Sequence, residues 1–388
     1  MKHIIWLTEW FPTKLNPYTG DGIERRAKAA SLYNDIFIIH LKKDPGLLFG
    51  KVDKEERVYN ENCKAIIYYY PSIAKWSRAL DVLVSNFYFL TLHCKAIRQY
   101  RKEHGRPAGI QVNVVMKNGV IALFYKWFLG IKYIIVEGWS LFLPESVPSF
   151  RDKGFIFRWF TKKVIRKAAI LVTLSDHLAK MIFTIIDPVP YQVVPNGVDT
   201  SIFYPNRIHS GPDTFRFIHI SSLDHPKNFE QILKAVKIVS DSGYSMKLMV
   251  IGPDRKELKE LTNELGIQHL VQYKNECFQG ELAEAMNQSS ALILYSFYET
   301  FGNVIIEANA CGLPVIISDY PSCTEIVKEG ETGLVVPGNN PPLLAEKMIY
   351  LMKEYAGFNK DKIATFTREH FGYDAIGIRI DQVYKDIF

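Results

Sequence analysis

The stretch YETFGNVIIEANACGLPVIIS, residues 298–318, closely follows the apolar run ALILYS, 291–296. ALILYS is short and unbroken, as a strand buried on both faces should be. Asn303 then predicts a cap for a helix over Val304–Ala310, which Gly312 and Pro314 close. PVIIS reads as the next buried strand. This spacing of strand, loop, helix and strand argues for a parallel sheet covered by helices, since parallel neighbours need a crossover of this length.

The same stretch carries the candidate chemistry. Glu299 falls in the loop just past the strand, and Glu307 lies about one turn into the helix. Backbone N–H groups near Gly302, Asn303 and Val304 point out of the helix start, where the dipole favours an anion. On one reading, an acid near a helix start is simply a favourable dipole contact. On the other, two carboxylates flank an anion socket. A carboxylate repels a bound phosphate but accepts hydrogen bonds from vicinal hydroxyls, as it does from ribose in dinucleotide folds. Two polyols joined through phosphate is the layout of a nucleotide sugar.

Working outward, strand-like runs alternate with segments of helical period along the whole chain. The runs HIIWLT, DIFIIHL, AIIYYY, IQVNVV, YIIVE and AILVTL precede residue 175, with helices expected over Gly22–Tyr33, Ser77–Gln99 and Ser175–Ile185. The turn at Pro195-Asn196-Gly197 interrupts the pattern, and a second series begins at Phe215. There FRFIHIS leads through a loop holding Lys227 into NFEQILKAVKIV. Asn228 is an expected cap of that helix, and Phe229, Ile232, Leu233 and Val236 share one face. A lysine directly before a helix start is a point-charge partner for phosphate, or else a solvated surface charge. The expected architecture is α/β, with two Rossmann-like doubly wound domains facing each other across a deep cleft. Residues 1–195 form the acceptor side and 196–370 the donor domain. A helix over 371–388 packs back on the first domain.

Composition bounds the class. With 388 residues, 48% apolar and 23% charged, the chain can bury two cores and is not disordered. Five cysteines without paired spacing fit a reducing, cytoplasmic compartment and no disulfide framework. MKHIIWLTEWFP holds Glu9 and no small-residue cleavage site, so it reads as a first strand rather than a signal peptide. The run Trp76–Cys94 contains Arg78 and Asp81, which argues against a spanning helix. Charge divides unevenly. Residues 1–195 hold 29 Lys+Arg against 16 Asp+Glu, a net of +13, and residues 196–388 hold 18 against 25, a net of −7. The segment FRDKGFIFRWFTKKVIRKAAI, 150–170, mixes aromatics with basic residues. It reads either as an interfacial helix on an anionic leaflet or as an ordinary helix packed on the sheet. No basic reader motif points to nucleic acid, and no G-x-G-x-x-G follows a first strand.

The second half resembles the retaining family-4 glycosyltransferases of the GT-B fold. The likeness is carried by VVPNGVDTSIFYP (193–205), ISSLDHPKNFEQILKA (220–235), LMVIGPD (248–254), YETFGNVIIEANACGLPVI (298–316) and GLVVPGNNPPLLAEKM (333–348). The first half is similar more loosely, through WFPTKLNPYTGDGIERRAKA and YIIVEGWS. The resemblance implies that Glu299 contacts donor-hexose hydroxyls and Glu307 the donor ribose. Lys227 would hold the diphosphate, with backbone at Gly302, Asn303 and Val304. Gly20, Ser222 and Gly252 would border the donor, and no metal or other cofactor would be required. Glu299, Lys227 and Glu137 are the implied catalytic residues. Ser222 stands where the family usually has an arginine, and Gly138 where it often has a histidine, with Glu137 beside it as a polar substitute. The implied reaction moves a hexose from a nucleotide sugar to a hydroxyl of a glycan or lipid-linked glycan, as in bacterial surface polysaccharide synthesis. The anionic inner membrane face is a candidate partner. An inactive nucleotide-sugar-binding protein and a GT-B sugar epimerase are the alternatives.

Overall fold

The structure is a computed structural model that describes residues 1–74, 77–206 and 214–388. Trp76, at the start of the apolar run considered above, lies outside the described residues. The chain forms two compact units. The first comprises Met1–Asn196 with Tyr373–Phe388, and the second Gly197–Gly372.

In the first unit the strands are β1 (His3–Thr8), β2 (Asp35–Asp44), β3 (Asp53–Asn60), β4 (Cys63–Pro71), β5 (Gly109–Asn113), β6 (Tyr133–Glu137), β7 (Leu171–Thr173) and β8 (Tyr191–Val193). The helices are α1 (Asp21–Ala30), α2 (Arg78–His104), α3 (Lys117–Leu129), α4 (Phe155–Lys167) and α5 (Asp176–Phe183). Among the described residues these strands form one sheet in the order β3-β4-β2-β1-β5-β6-β7-β8. The sheet is parallel apart from β3, which pairs antiparallel with β4 at the edge. The expected parallel sheet is found, with this one antiparallel strand added at its edge. DKEERVYN opens with five charged residues in a row, and its exposure alternates along the strand, with Asp53, Glu55, Arg57 and Tyr59 on the half-buried face. Both faces carry charges, and charge on an edge strand discourages edge-to-edge pairing. The expected strand IQVNVV also ends early, at Asn113, because Val114 takes a left-handed φ of 67°. A β-branched residue is strained there. The Val114 N–H donates to the Val136 carbonyl at 2.9 Å, which anchors it.

The second unit is built from β9 (Arg216–Ile220), α6 (Phe229–Asp241), β10 (Lys247–Ile251), α7 (Lys256–Glu264), β11 (Val271–Lys274), α8 (Gln279–Asn287), β12 (Ala291–Leu294), α9 (Asn303–Ala310), β13 (Val315–Ser318), α10 (Pro321–Thr324), β14 (Gly333–Val336), α11 (Pro341–Lys353) and α12 (Lys360–Phe371). Its strands run parallel in the order β11-β10-β9-β12-β13-β14. The expected face of α6 is buried: Phe229, Ile232, Leu233 and Val236 are each 2% exposed or less, in one cluster with Leu248, Val250 and Ile293. Strand order reverses between β9 and β12. The loops leaving their C-terminal ends therefore diverge and open a crevice, where doubly wound sheets bind ligands.

The last helix, α13 (Tyr373–Ile387), belongs to the first unit and packs on α1. A Cβ at Gly377 would meet the Ala29 carbonyl oxygen at 2.4 Å, so only glycine permits this approach. Tyr384 is fully buried. Its hydroxyl accepts from the Trp6 indole at 2.9 Å and donates to Gln111 at 2.6 Å. Tyr384→Phe leaves a buried donor and a buried acceptor without partners, at a cost of about 1–3 kcal/mol. The unfolding transition of the first unit should fall accordingly in a denaturant titration. An unchanged midpoint would show that the buried groups find other partners.

Candidate functional site

Lys227 and Glu299 lie in the two loops that flank the β9/β12 reversal. The first loop is shaped from below. His219 on β9 is buried, and burial drives its pKa down to about 4, so the ring is neutral. Its Nδ1 donates to the Ile293 carbonyl at 2.9 Å and its Nε2 accepts from the Ser221 hydroxyl at 2.8 Å. Ser221 Oγ in turn accepts from the Leu223 N–H at 3.0 Å. Leu223 and Asn228 both take left-handed backbone, with φ of 54° and 53°. Asn228 holds the cap position of α6, but its side chain makes no cap hydrogen bond, contrary to the sequence expectation. The left-handed backbone fixes this helix start instead.

The second loop carries Glu299. Its Oε1 accepts from Lys227 Nζ at 2.6 Å and from Ser296 Oγ at 3.0 Å. Ser322 Oγ donates to the Glu299 carbonyl at 2.7 Å, and the Phe297 N–H reaches back to the Pro226 carbonyl at 2.8 Å. The two loops are thus tied through both backbone and side chains. The Glu299 side chain is 11% exposed and that of Lys227 24%. Burial pulls the Lys227 pKa down, but the Glu299 carboxylate more than offsets this, and the lysine sits above its ordinary value.

Gly302, not Asn303, is the cap residue of α9, and Asn303 is its first helical residue. The reason is steric. Gly302 has φ 93°, and a Cβ there would meet Ile305 Cδ1 at 2.9 Å. This left-handed turn brings the chain sharply out of the Glu299 loop into the helix, with Val304 in the first turn. Glu307 lies on the next turn and is 3% exposed. Gly252 directly follows the neighbouring strand, β10. A Cβ there would strike the Ser221 carbonyl oxygen at 2.4 Å, so glycine lets the lysine loop lie against it.

Ser222 is exposed, and its carbonyl accepts from Arg255 Nη2 at 3.3 Å. Arg255 also pairs with Asp224. This guanidinium stands beside the serine that replaces the expected arginine. Sequence reading passed over it; the available signal was the pairing of β10 with β9, which sets the GPDR loop beside the lysine loop.

In the first unit, Gly20 caps α1 with φ 80°, and a Cβ there would meet the Trp10 carbonyl carbon at 2.5 Å. Arg25 pairs with Asp21 at 2.7 Å. Arg26 is 2% exposed and donates to the Val194 and Pro195 carbonyls, both at 2.7 Å; burial lowers its pKa to about 10. Arg26 therefore anchors the chain end of this unit. Glu137 is fully buried. One carboxylate oxygen accepts from the Gly138 and Trp139 N–H groups at 3.1 and 2.9 Å, the other from Val115 at 3.1 Å. Burial raises its pKa to about 7 against these three donors. This carboxylate orients the end of β6, a positioning task. At Gly138 a Cβ would meet Leu174 Cδ1 at 2.6 Å, so a histidine at this position requires Leu174 to move.

The fold is thus α/β in two units, each with a largely parallel sheet, the type seen in GT-B glycosyltransferases. Residues 203–369, within the second unit, match the family model described as glycosyl transferases group 1. A D-inositol 3-phosphate glycosyltransferase of Streptomyces bingchenggensis is 27% identical over 220 residues, covering 52% of this chain and 48% of that protein. The chain thus spans about half the length of this curated relative. Among solved structures, a sucrose-phosphate synthase from Thermosynechococcus elongatus superposes with a TM-score of 0.77 at 18% identity, over 100% of this chain and 99% of that one. Anabaena Alr3699/HepE, solved in complex with UDP and glucose, gives 0.72 at 14% identity over 99% and 100%. These two likenesses establish the fold.

Proposed function

We propose that the protein is a retaining hexosyltransferase that moves a sugar from a nucleoside-diphosphate donor to a hydroxyl of a glycan or lipid-linked glycan, as in surface polysaccharide assembly. The observation that carries this reading is the Lys227–Glu299 pair set beside the N-terminus of α9 at the strand-order reversal. One Lys227 N–H is used by Glu299, and an ammonium has two more to offer a diphosphate. Glu299 uses Oε1 for Lys227 and Ser296, which directs Oε2 toward hexose hydroxyls. Glu307, one turn on, serves the ribose. The acceptor hydroxyl attacks the anomeric carbon on the face from which the diphosphate departs. Catalysis comes from stabilising the leaving charge and from orientation rather than from a strong base.

A panel of nucleotide sugars, screened for acceptor-dependent release of nucleoside diphosphate, tests the reaction. The anomeric configuration of the product tests retention. Binding without release would replace this reading with a binding protein, and sugar interconversion without transfer would replace it with an epimerase. Because Lys227 and the start of α9 neutralise the leaving group in this mechanism, turnover is expected to persist in EDTA. Complete loss, restored by magnesium or manganese, would overturn that expectation.

The lipid-linked acceptor goes with a peripheral membrane contact. Among the described residues no helix is long and apolar enough to cross a membrane. Phe155, Ile156, Trp159 and Phe160 on α4 are 73, 71, 46 and 38% exposed, and Trp127 and Phe128 on α3 are 55 and 69% exposed. Lys163 lies over both Trp127 and Trp159, at 5.0 and 4.6 Å from the ring centroids. Vesicles containing anionic lipid should therefore sediment the protein at low salt and release most of it as salt rises. Each basic residue near the surface contributes roughly 1 kcal/mol, screened within about 10 Å at 0.1 M salt. Charge reversal at Lys163, Arg166 and Lys167 should abolish sedimentation and leave donor binding intact. Protein that ignores such vesicles at low salt would point to a soluble acceptor.

A further inference from the structure

A cavity of about 470 Å³ in the first unit lies outside every residue assigned above to donor chemistry. It is bounded by the turn before α4, the first half of α4 and the chain just past α5. Three cations line it: Arg151, Arg158 and Lys162. Phe155 and Trp159 stand on the same face of α4, and Thr184 and Ile185 complete the lining. The wall behind is rigid, because Phe150 is 1% exposed and stacks on Phe142 with centroids 5.3 Å apart.

The charge of this cavity is uncompensated. None of its three cations forms an ion pair among the described residues. The nearby acids are engaged elsewhere: Asp152 accepts from the Ser149 N–H and hydroxyl at 2.7 and 2.9 Å, and Asp187 pairs with Arg166 at 2.5 Å. Arg158 Nε is buried with no hydrogen-bond partner among the described residues. A buried guanidinium N–H without a partner is rare in folded proteins. Lys162 lies one turn beyond Arg158 on α4, on the same side of the helix. Two guanidinium groups and an ammonium lining one concavity suit a tetrahedral oxyanion that can take several charge-assisted hydrogen bonds. The exposed aromatics at the mouth suit an apolar body attached to that anion.

We infer that this cavity is a binding site for the phosphate of an amphiphile, with Arg158, Lys162 and Arg151 on the phosphate and Phe155 and Trp159 against the apolar portion. A membrane lipid is the carrier the observations favour, since the apolar residues at the mouth continue along α4 to Ile156 and Phe160. The choice of a lipid carrier rests on the membrane reading above; the demand for a phosphate does not.

Dihexanoyl phosphatidic acid, used below its micelle concentration, separates the pocket from the bilayer. Calorimetric titration of the full chain should show saturable binding. Arg158→Gln should weaken it tenfold or more. The double variant Arg151→Gln/Lys162→Gln, which alters only side chains at the cavity rim, should do the same if Arg158→Gln proves poorly folded. Dihexanoyl phosphatidylcholine and inorganic phosphate should each bind at least tenfold more weakly than the phosphatidic acid. Equal binding by wild type and both variants would overturn the site. Equal binding of the zwitterionic lipid would overturn the role of charge, and inorganic phosphate binding as tightly would overturn the lipid carrier. Nucleotide-sugar binding, followed in parallel by thermal shift, involves none of the residues that line this cavity. A failed donor reaction therefore leaves this result readable, and a failed titration leaves the transferase reading standing.

Discussion

Lys227→Ala is expected to lower kcat/KM by about 10²–10³, because it removes a preorganised charge from the departing diphosphate. The substitution has a second effect. It strands Glu299, whose side chain is 11% exposed, without its ion-pair partner. The stability loss should fall between the ~0.5 kcal/mol of an exposed pair and the ~4 kcal/mol of a buried one. The double variant Lys227→Ala/Glu299→Gln should recover most of that stability and none of the rate. Activity of Lys227→Ala within tenfold of wild type would show that another cation serves the diphosphate. Arg255, which already touches the Ser222 carbonyl, is then the first residue to replace. Arg26 is excluded from that task by its commitment to Val194 and Pro195.

The two glutamates should separate cleanly by ligand. Glu307→Gln is expected to weaken the free nucleoside diphosphate and its sugar conjugate alike, by roughly 10–100-fold, the value of one or two hydrogen bonds to a charged group. Glu299→Gln should lower turnover of the sugar nucleotide by at least ~10²-fold. Its effect on the free nucleoside diphosphate should have the opposite sign or vanish. Glu299 holds Lys227 at 2.6 Å, and removing the carboxylate frees the ammonium and relieves repulsion of the phosphates. Calorimetry in which both variants lose both ligands equally would refute this division.

Much of the fold was legible from period and punctuation. ALILYS, FRFIHIS and PVIIS are unbroken apolar runs, and burial on both faces of a parallel sheet leaves no other pattern available to such strands. The edge strand β3 escaped because a strand with charges on both faces resembles a loop in composition. The position of the candidate site, where Lys227 meets Glu299, was legible for the same reason as the sheet: each residue follows a strand, and strand ends are where side chains converge. The supports of that site were not legible. Ser296 and Ser322 orient Glu299 from different loops, and Arg255 reaches Ser222 only through the register of β10 on β9. The cap of α9 was misread because asparagine is a good capping side chain, whereas close contact with Ile305 demands that the turn have no side chain at all. The lining of the cavity beside α4 joins Arg151 to Thr184, residues that no local pattern links.

The return of α13 to the first unit makes that unit discontinuous along the chain. The second unit is an uninterrupted segment, Gly197–Gly372, and can complete its core as soon as it clears the ribosome. The first unit begins to emerge earlier yet finishes later. Until Tyr384 is synthesised, the indole of Trp6 and the amide of Gln111 lack the hydroxyl that joins them. The order of translation is therefore the reverse of the order of completion. In the interval, the half-finished sheet exposes the face of α1 that α13 will cover, and a chaperone that recognises apolar helix surfaces would find its substrate there.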